Sequence, residues 1–547
     1  MKRSTITLLL CLCVPLYAQQ SGHKMEMSTA DKPATLVAGM GSLHHPVSTK
    51  NPEAQKFFNQ GLSYIYGFNH DEAIRSFKRA LELDPNLAMA HWGIALALGP
   101  NINLDVDPDR EKAAYDAVQR ALALAAKAPE NERAYIDALA RRYSADPKAD
   151  LKKLAVDYKN AMGELVKRYP DDLDAATLYA ESAMDLRPWQ LWSLDGKPAE
   201  GTAEIVSVLE SVLRRNPNHP GAIHYYIHAV EASPNPERAL IYAQNLPRLM
   251  PAAGHLVHMP AHIFQRVGDY DSSARANEDA AAADRAYLLT RGPEGFYPVM
   301  YYSHNLHFMS IAYSMQGRFN DSIKAAKALE DNVGPHIKAM PMLEGFMTVS
   351  PLMLVRFHRW EDIDKLPVPA ENMIATTAVV HFTRGVAAAS RGRVNEAEEQ
   401  LAAFRTTVQR VPADAAFGLN QASAVLKVAD KVLSARIATA KNDNETAIKL
   451  LQEAVTLEDQ LAYDEPPIWF MPVRESLGGV LLRSGKYTEA ERVFRGDLER
   501  NKRNGRSLFG LLEALKAQKK TEGLSAVQKE FAAAWKNADT KLTVADL

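Results

Sequence analysis

Gly61, Tyr64, Ala73, Phe77, Ala80 and Pro85 fall at positions 8, 11, 20, 24, 27 and 32 of a 34-residue frame that starts at Ala54. Such spacing describes a helix–turn–helix unit. The small residues at 8 and 20 let two helices approach closely, and the aromatic at 24 fills the space between them. A glycine at 15 suits a turn that needs positive φ, and the proline at 32 ends the second helix. One such unit cannot bury its own apolar face, so it must stack on further copies. A chain of 547 residues exceeds one ordinary core, but a stack of hairpins grows without one.

The frame carries forward. Further units start near Ala88, Leu173, Pro220, Gly254, Ser303, Glu344, Ala378, Val428 and Met471. A Trp- and Gly-containing insert, with Trp189 and Trp192, interrupts the Leu173 unit, and a Tyr- and Gly-rich insert with Tyr297, Tyr301 and Tyr302 precedes the Ser303 unit. No useful strand alternation appears. The expected fold class is all-α, a right-handed solenoid of helix–turn–helix repeats. Its expected parts are a leader at 1–18, a flexible segment at 19–50, an N-terminal superhelix at 51–330 and a C-terminal one with capping helices at 331–547.

At the N-terminus, Lys2 and Arg3 precede an apolar run from Ile6 to Leu16 that closes on Tyr17-Ala18. This is the form of a cleavable secretory leader, too short to span a bilayer as a helix. Both cysteines, Cys11 and Cys13, lie within it. The expected mature chain is exported, periplasmic or secreted, and lacks a disulfide, a thiolate nucleophile or a Cys-ligated metal. Cleavage removes two of the 64 basic residues and leaves a net charge of −4, no footprint for nucleic acid. No integral membrane segment is expected after cleavage. His23, Met25, Met27, Met40, His44 and His45 in the segment after the leader suit copper, or simply stand in an unstructured tail.

The chain resembles the tetratricopeptide repeat superfamily over about 54–535. Three segments, Trp92-Gly-Ile with Gly99-Pro-Asn-Ile-Asn103, His258-Met-Pro-Ala-His262 and Tyr463-Asp-Glu-Pro-Pro467 with Trp469, resemble a group of exported bacterial proteins of that superfamily. The resemblance implies a concave groove lined by first-helix positions 2, 5, 9, 12 and 13, and a protein or peptide partner held there.

Eight of the sixteen histidines lie between His219 and His307. In the register the resemblance implies, His224 and His228 take positions 5 and 9 of one repeat, His255, His258 and His262 take 2, 5 and 9 of the next, and His304 and His307 take 2 and 5 of a third. Steps of three and four keep the middle three within an arc of about 60° on one helix face. Packed helices lie about 8–10 Å apart, so imidazoles of neighbouring repeats can meet. Glu181 and Asp185, at positions 9 and 13 of the Leu173 repeat, are the candidate carboxylates. Three readings stand. One is a divalent transition-metal site for Zn, Cu, Fe or Mn. The second is a pH-sensitive groove for an anionic or peptide ligand, with Glu181, Asp185, Trp189, Tyr301 and Tyr302 along it. The third is a set of hydrogen-bonded structural histidines. No HExxH, phosphate loop, nucleophile elbow or dinucleotide fingerprint is present. The function read from sequence is an exported binding or scaffold protein. The alternative is a metal-binding protein or metalloenzyme.

Overall fold

The computed structural model describes residues 34–292 and 295–547. The expected leader at 1–18 and the His23–Met27 part of the His/Met tail lie outside the described residues. Helical hairpins run through the rest. Pro52–Tyr66 pairs with His70–Leu83, Ala88–Leu98 with Pro108–Ala125, and Leu173–Met184 with Thr202–Arg215. Farther on, Phe296–Met315 pairs with Phe319–Val333, Ile374–Ser390 with Val394–Val408, Ala422–Ala440 with Asn444–Glu458, and Val473–Arg483 with Tyr487–Arg500. Among the described residues, the only strands are Ala416–Phe417 and Asn420–Gln421, paired antiparallel. The fold is an all-α solenoid of the tetratricopeptide type. No described helix is long and apolar enough to cross a membrane.

Local chemistry sets the first hairpin. The Asn51 side chain accepts the N–H groups of Glu53 and Ala54, and Pro52 opens the helix where its missing N–H costs nothing. Asn69 caps the second helix on the Glu72 N–H. Phe77 lies between Gly61 and Gly93. A Cβ on either glycine would come within 2.6 Å of its ring. Small residues on two first helices thus make the slot for one aromatic from the helix between them.

Buried apolar side chains form one core from Ala34 to Tyr301 and another from Tyr270 to Leu547. The two cores meet within 270–301, where the long helices Tyr270–Arg291 and Phe296–Met315 serve both. The superhelix also curls back on itself. The Asp539 carboxylate accepts the N–H groups of Phe319 and Asn320 at 2.7 and 3.0 Å, and Arg266 stacks on Tyr463 at 5.5 Å.

The structure also describes part of the expected 19–50 segment. Its described part, 34–50, is a fastened strap with Met40 and His45 buried. The Val37 N–H donates to Gln60 at 2.7 Å, and Ser48 donates through its N–H and hydroxyl to Glu132 at 2.5 and 2.7 Å. His45 Nδ1 meets Asp174 at 2.8 Å, where the Tyr66 hydroxyl and His219 also converge. Burial alone would lower the His45 pKa. The bond to Asp174 and its charge outweigh burial and raise it above 6.5. Burial opposes the Asp174 charge, but bonds to His219 and His45 hold its carboxyl well below 3.8. The His45 contribution is full below pH 6.5 and is lost as pH rises through its folded value. The Asp174 contribution is present above pH 3.8 and is lost as pH falls through its own. Amide-exchange protection of 34–50 should therefore peak between those values and weaken toward alkaline pH. His45→Ala should flatten the alkaline side of that profile, and an unchanged profile would exclude this fastening.

Candidate metal centre

The helix Pro220–Glu231 is buried along its whole length, so its polar side chains must find partners inside the protein. Gly221 makes this possible, since a Cβ there would stand 2.4 Å from the Tyr66 ring. His224, His228 and Glu231, at steps of four and three, share one face. The next repeat begins with two short helices, Gly254–His258 and Pro260–Val267, joined at Met259. They carry His255, His258 and His262. The helix Phe296–Met315 brings His304.

These side chains form two adjacent clusters of three imidazoles. In each, one ring nitrogen per residue lies within 4.8 Å of the others: His224, His228 and His255 in one, His258, His262 and His304 in the other. Across the clusters, the His228 and His262 rings stand 5.4 Å apart and the His255 and His258 rings 5.8 Å.

The outer nitrogens decide the tautomers. His224 Nδ1 donates to the Tyr66 carbonyl at 2.7 Å. His228 Nδ1 and His262 Nδ1 donate to the two oxygens of Glu231 at 2.6 and 2.5 Å. His258 Nδ1 meets Asn277 Oδ1 at 2.7 Å, and the Asn277 amide nitrogen donates to the Ser273 carbonyl, which fixes the amide's orientation. Four protons are thus committed outward, and four Nε2 lone pairs face inward. The inner contacts are His224–His228 and His224–His255 at 3.1 Å and His258–His262 at 2.8 Å. Between His224 and His228, both of which donate through Nδ1, two lone pairs are brought to 3.1 Å, a clash that a positive centre between them would relieve. Outer acceptors that hold imidazoles in one tautomer are the usual support of metal ligands.

Burial pushes His224, His255, His258 and His304 well below the usual imidazole range, and His228 also lies lower. Burial opposes ionisation of Glu231 too, but His262 and His228 hold its carboxyl down at about 2. Burial would lower His262, yet the Glu231 charge and bond raise it. The site is a set of imidazoles, five of them held toward the neutral form by burial, around one buried carboxylate that favours the charged form of His262.

Aromatic rings wall it. Phe68 occupies position 15 of the first repeat in a left-handed backbone conformation, φ 53°, where glycine would be at ease. That strain sets its ring 4.5 Å from His224 and 5.6 Å from His255. Tyr301 lies 4.6 Å from His255, and Trp189 meets His228 edge-on at 5.5 Å. Trp189, Trp192 and Met184 also line a small surface hollow whose floor includes His228 and Glu231. From the far half of the chain, the Tyr463 hydroxyl reaches Glu231 at 3.4 Å and donates to Glu465. Burial, with the Glu231 charge next, pushes the Glu465 carboxyl up to about 8.

Of the seven histidines singled out by register, six meet here. His307 does not; it is buried against Phe346 with ring centroids 5.5 Å apart. Glu181 and Asp185 are turned elsewhere. Arg142, from an earlier hairpin, binds Asp185 at 2.7 Å, and Glu181 lies beside that pair. Tyr302 is half-buried against the second core. The carboxylate at the histidines is Glu231, position 12 of the Pro220 repeat, a concave position under the same register rule. His-x3-His-x2-Glu was the signal for it.

The stacked hairpins define a helical-repeat protein. Residues 54–87 match the family description of the tetratricopeptide repeat. No curated protein matches it. Among solved structures, it is similar to the human IFIT1 dimer with m7Gppp-AAAA at 13% identity and TM-score 0.32, over 90% of this chain and 91% of that one. It is similar to yeast Tom70 at 11% identity and TM-score 0.29, over 88% and 93%.

Proposed function

We propose that this protein is an exported repeat scaffold whose interior holds transition-metal ions. The observation that carries the reading is the inward convergence of Nε2 lone pairs whose Nδ1 protons are already committed to Tyr66, Glu231 and Asn277. Six imidazoles without a thiolate suit zinc, copper or iron better than magnesium or calcium. The burial of five of the six imidazoles favours an ion over an extended peptide at this place. Export rests on the leader form of residues 1–18. A second reading, a protein or peptide partner held on other surfaces of the superhelix, is favoured by the tetratricopeptide match at 54–87.

The test is the metal content of untagged protein, purified without chelators, by mass spectrometry. The expected result is about two zinc, copper or iron ions per chain, one for each three-imidazole set. The double variant His258→Ala, His262→Ala should lose one of them. A metal-free protein whose melting temperature does not respond to added zinc or copper would overturn the metal reading and leave the partner-binding one.

A further inference from the structure

The C-terminal half contains a second polar hollow, far from the histidines in sequence. First helices of four successive units supply its wall: Val349–Arg356, Ile374–Ser390, Ala422–Ala440 and Val473–Arg483. Three guanidinium groups line it, from Arg356, Arg436 and Arg506. Glu475 serves two of them. It receives Arg506 Nε at 2.8 Å and Arg356 Nη1 at 3.2 Å, and it also accepts from Asn504. Arg436 has no such partner. Its one hydrogen bond among the described residues is to the Ser476 hydroxyl, at 3.1 Å. Nearby Arg483 does not relieve it, being itself held by the carbonyls of Val544 and Leu547. Asp546 is turned to His358 at 3.1 Å.

Two further donors in this wall are stranded. Arg356 Nε and Trp469 Nε1 are buried without an acceptor, on residues 4% and 5% exposed. Buried N–H groups left unpaired cost about 1–3 kcal/mol each, so a place that gathers several of them wants an acceptor from outside. Burial, with Arg483 and Arg506 next, also pushes the Arg436 pKa down to about 10, the mark of a cation without a counter-charge. Apart from His358, the rest of the lining is apolar, with Phe382, Val386 and Val432. About 40 Å³ is open to the centre of a water molecule, enough for about three waters.

We propose that this hollow binds the carboxylate of a small aliphatic acid, with its oxygens on Arg436 and Ser476 and its short chain against Phe382, Val386 and Val432. A planar guanidinium matches a planar carboxylate, and the apolar wall disfavours a strongly hydrated tetrahedral anion. The inference does not depend on the metal centre.

The probe is sodium propionate, titrated calorimetrically into the full chain as purified, with sodium chloride and inorganic phosphate in parallel. Propionate should saturate one site, and Arg436→Met should weaken it about 10- to 100-fold, as expected for the loss of a charged hydrogen bond. Val432→Phe, which fills the hollow and keeps the arginine, should abolish binding even if the arginine variant misfolds. Metal content should stay constant in both folded variants. No saturable heat with propionate, equal affinity in a folded Arg436→Met protein, or a preference for phosphate over propionate would each overturn the proposal.

Discussion

Glu231→Ala should destabilise the metal-free protein by about 2–6 kcal/mol, because it strands two buried Nδ1–H donors at about 1–3 kcal/mol each. His228 and His262 give those protons to opposite oxygens of the same carboxylate, and the carboxylate is 1% exposed. Water has no ready access to replace it. With metal present a second loss appears. Both rings become free to rotate or to change tautomer, so affinity should fall about 10- to 100-fold, the usual effect of removing an outer partner of a ligand. Glu231→Gln separates the two effects. Its amide offers one oxygen and one N–H, so one histidine keeps an acceptor while the other meets a donor. Chemical denaturation of chelator-treated protein measures the first effect and competition with a chromophoric chelator the second. A Glu231→Ala protein with wild-type stability and wild-type metal retention would remove this carboxylate from the centre.

Phe77→Ala should cost about 3–5 kcal/mol, the range for emptying an aromatic site in a core that cannot collapse. Collapse is hindered because the slot walls are backbone. Gly61 and Gly93 leave no side chain to move inward, and the neighbouring ring of Phe58 lies 5.3 Å away centroid to centroid. In a stack of hairpins such damage stays local at first, so the opening 52–98 region should lose exchange protection before the C-terminal half does. Uniform loss along the chain would show that the two cores unfold as one.

The same residues show why the hairpins were legible in the sequence. The positions of Gly61, Ala73, Phe77 and Gly93 follow from how closely two helices must approach, and close approach leaves a strict period. The strap at 34–50 has none. It is fastened by polar side chains such as Gln60, Glu132 and Asp174, which lie 23 to 129 residues from their partners. At the candidate centre, register gathered six imidazoles, but of the carboxylates at positions of the same kind Asp185 went to Arg142 and Glu181 lies beside that pair. That arginine arrives on the irregular turn Ala140–Arg142, outside any repeat frame. His358 shows the same limit. It takes the left-handed turn position at φ 53°, stacked on Trp360 and paired with Asp546 from the chain's last turn. Contacts made by curling the superhelix back on itself have no signature in a 34-residue window.

The Tyr463–Glu465 loop reaches Glu231 across 232 residues of sequence. As the polypeptide emerges, the imidazoles are assembled long before the segment that covers them exists. An ion taken up early would sit in a half-walled chamber, exchangeable with its surroundings, until the final hairpins swing round. Retention of cargo would then report that the whole coil has finished winding, and a truncated product would be told apart by what it leaks.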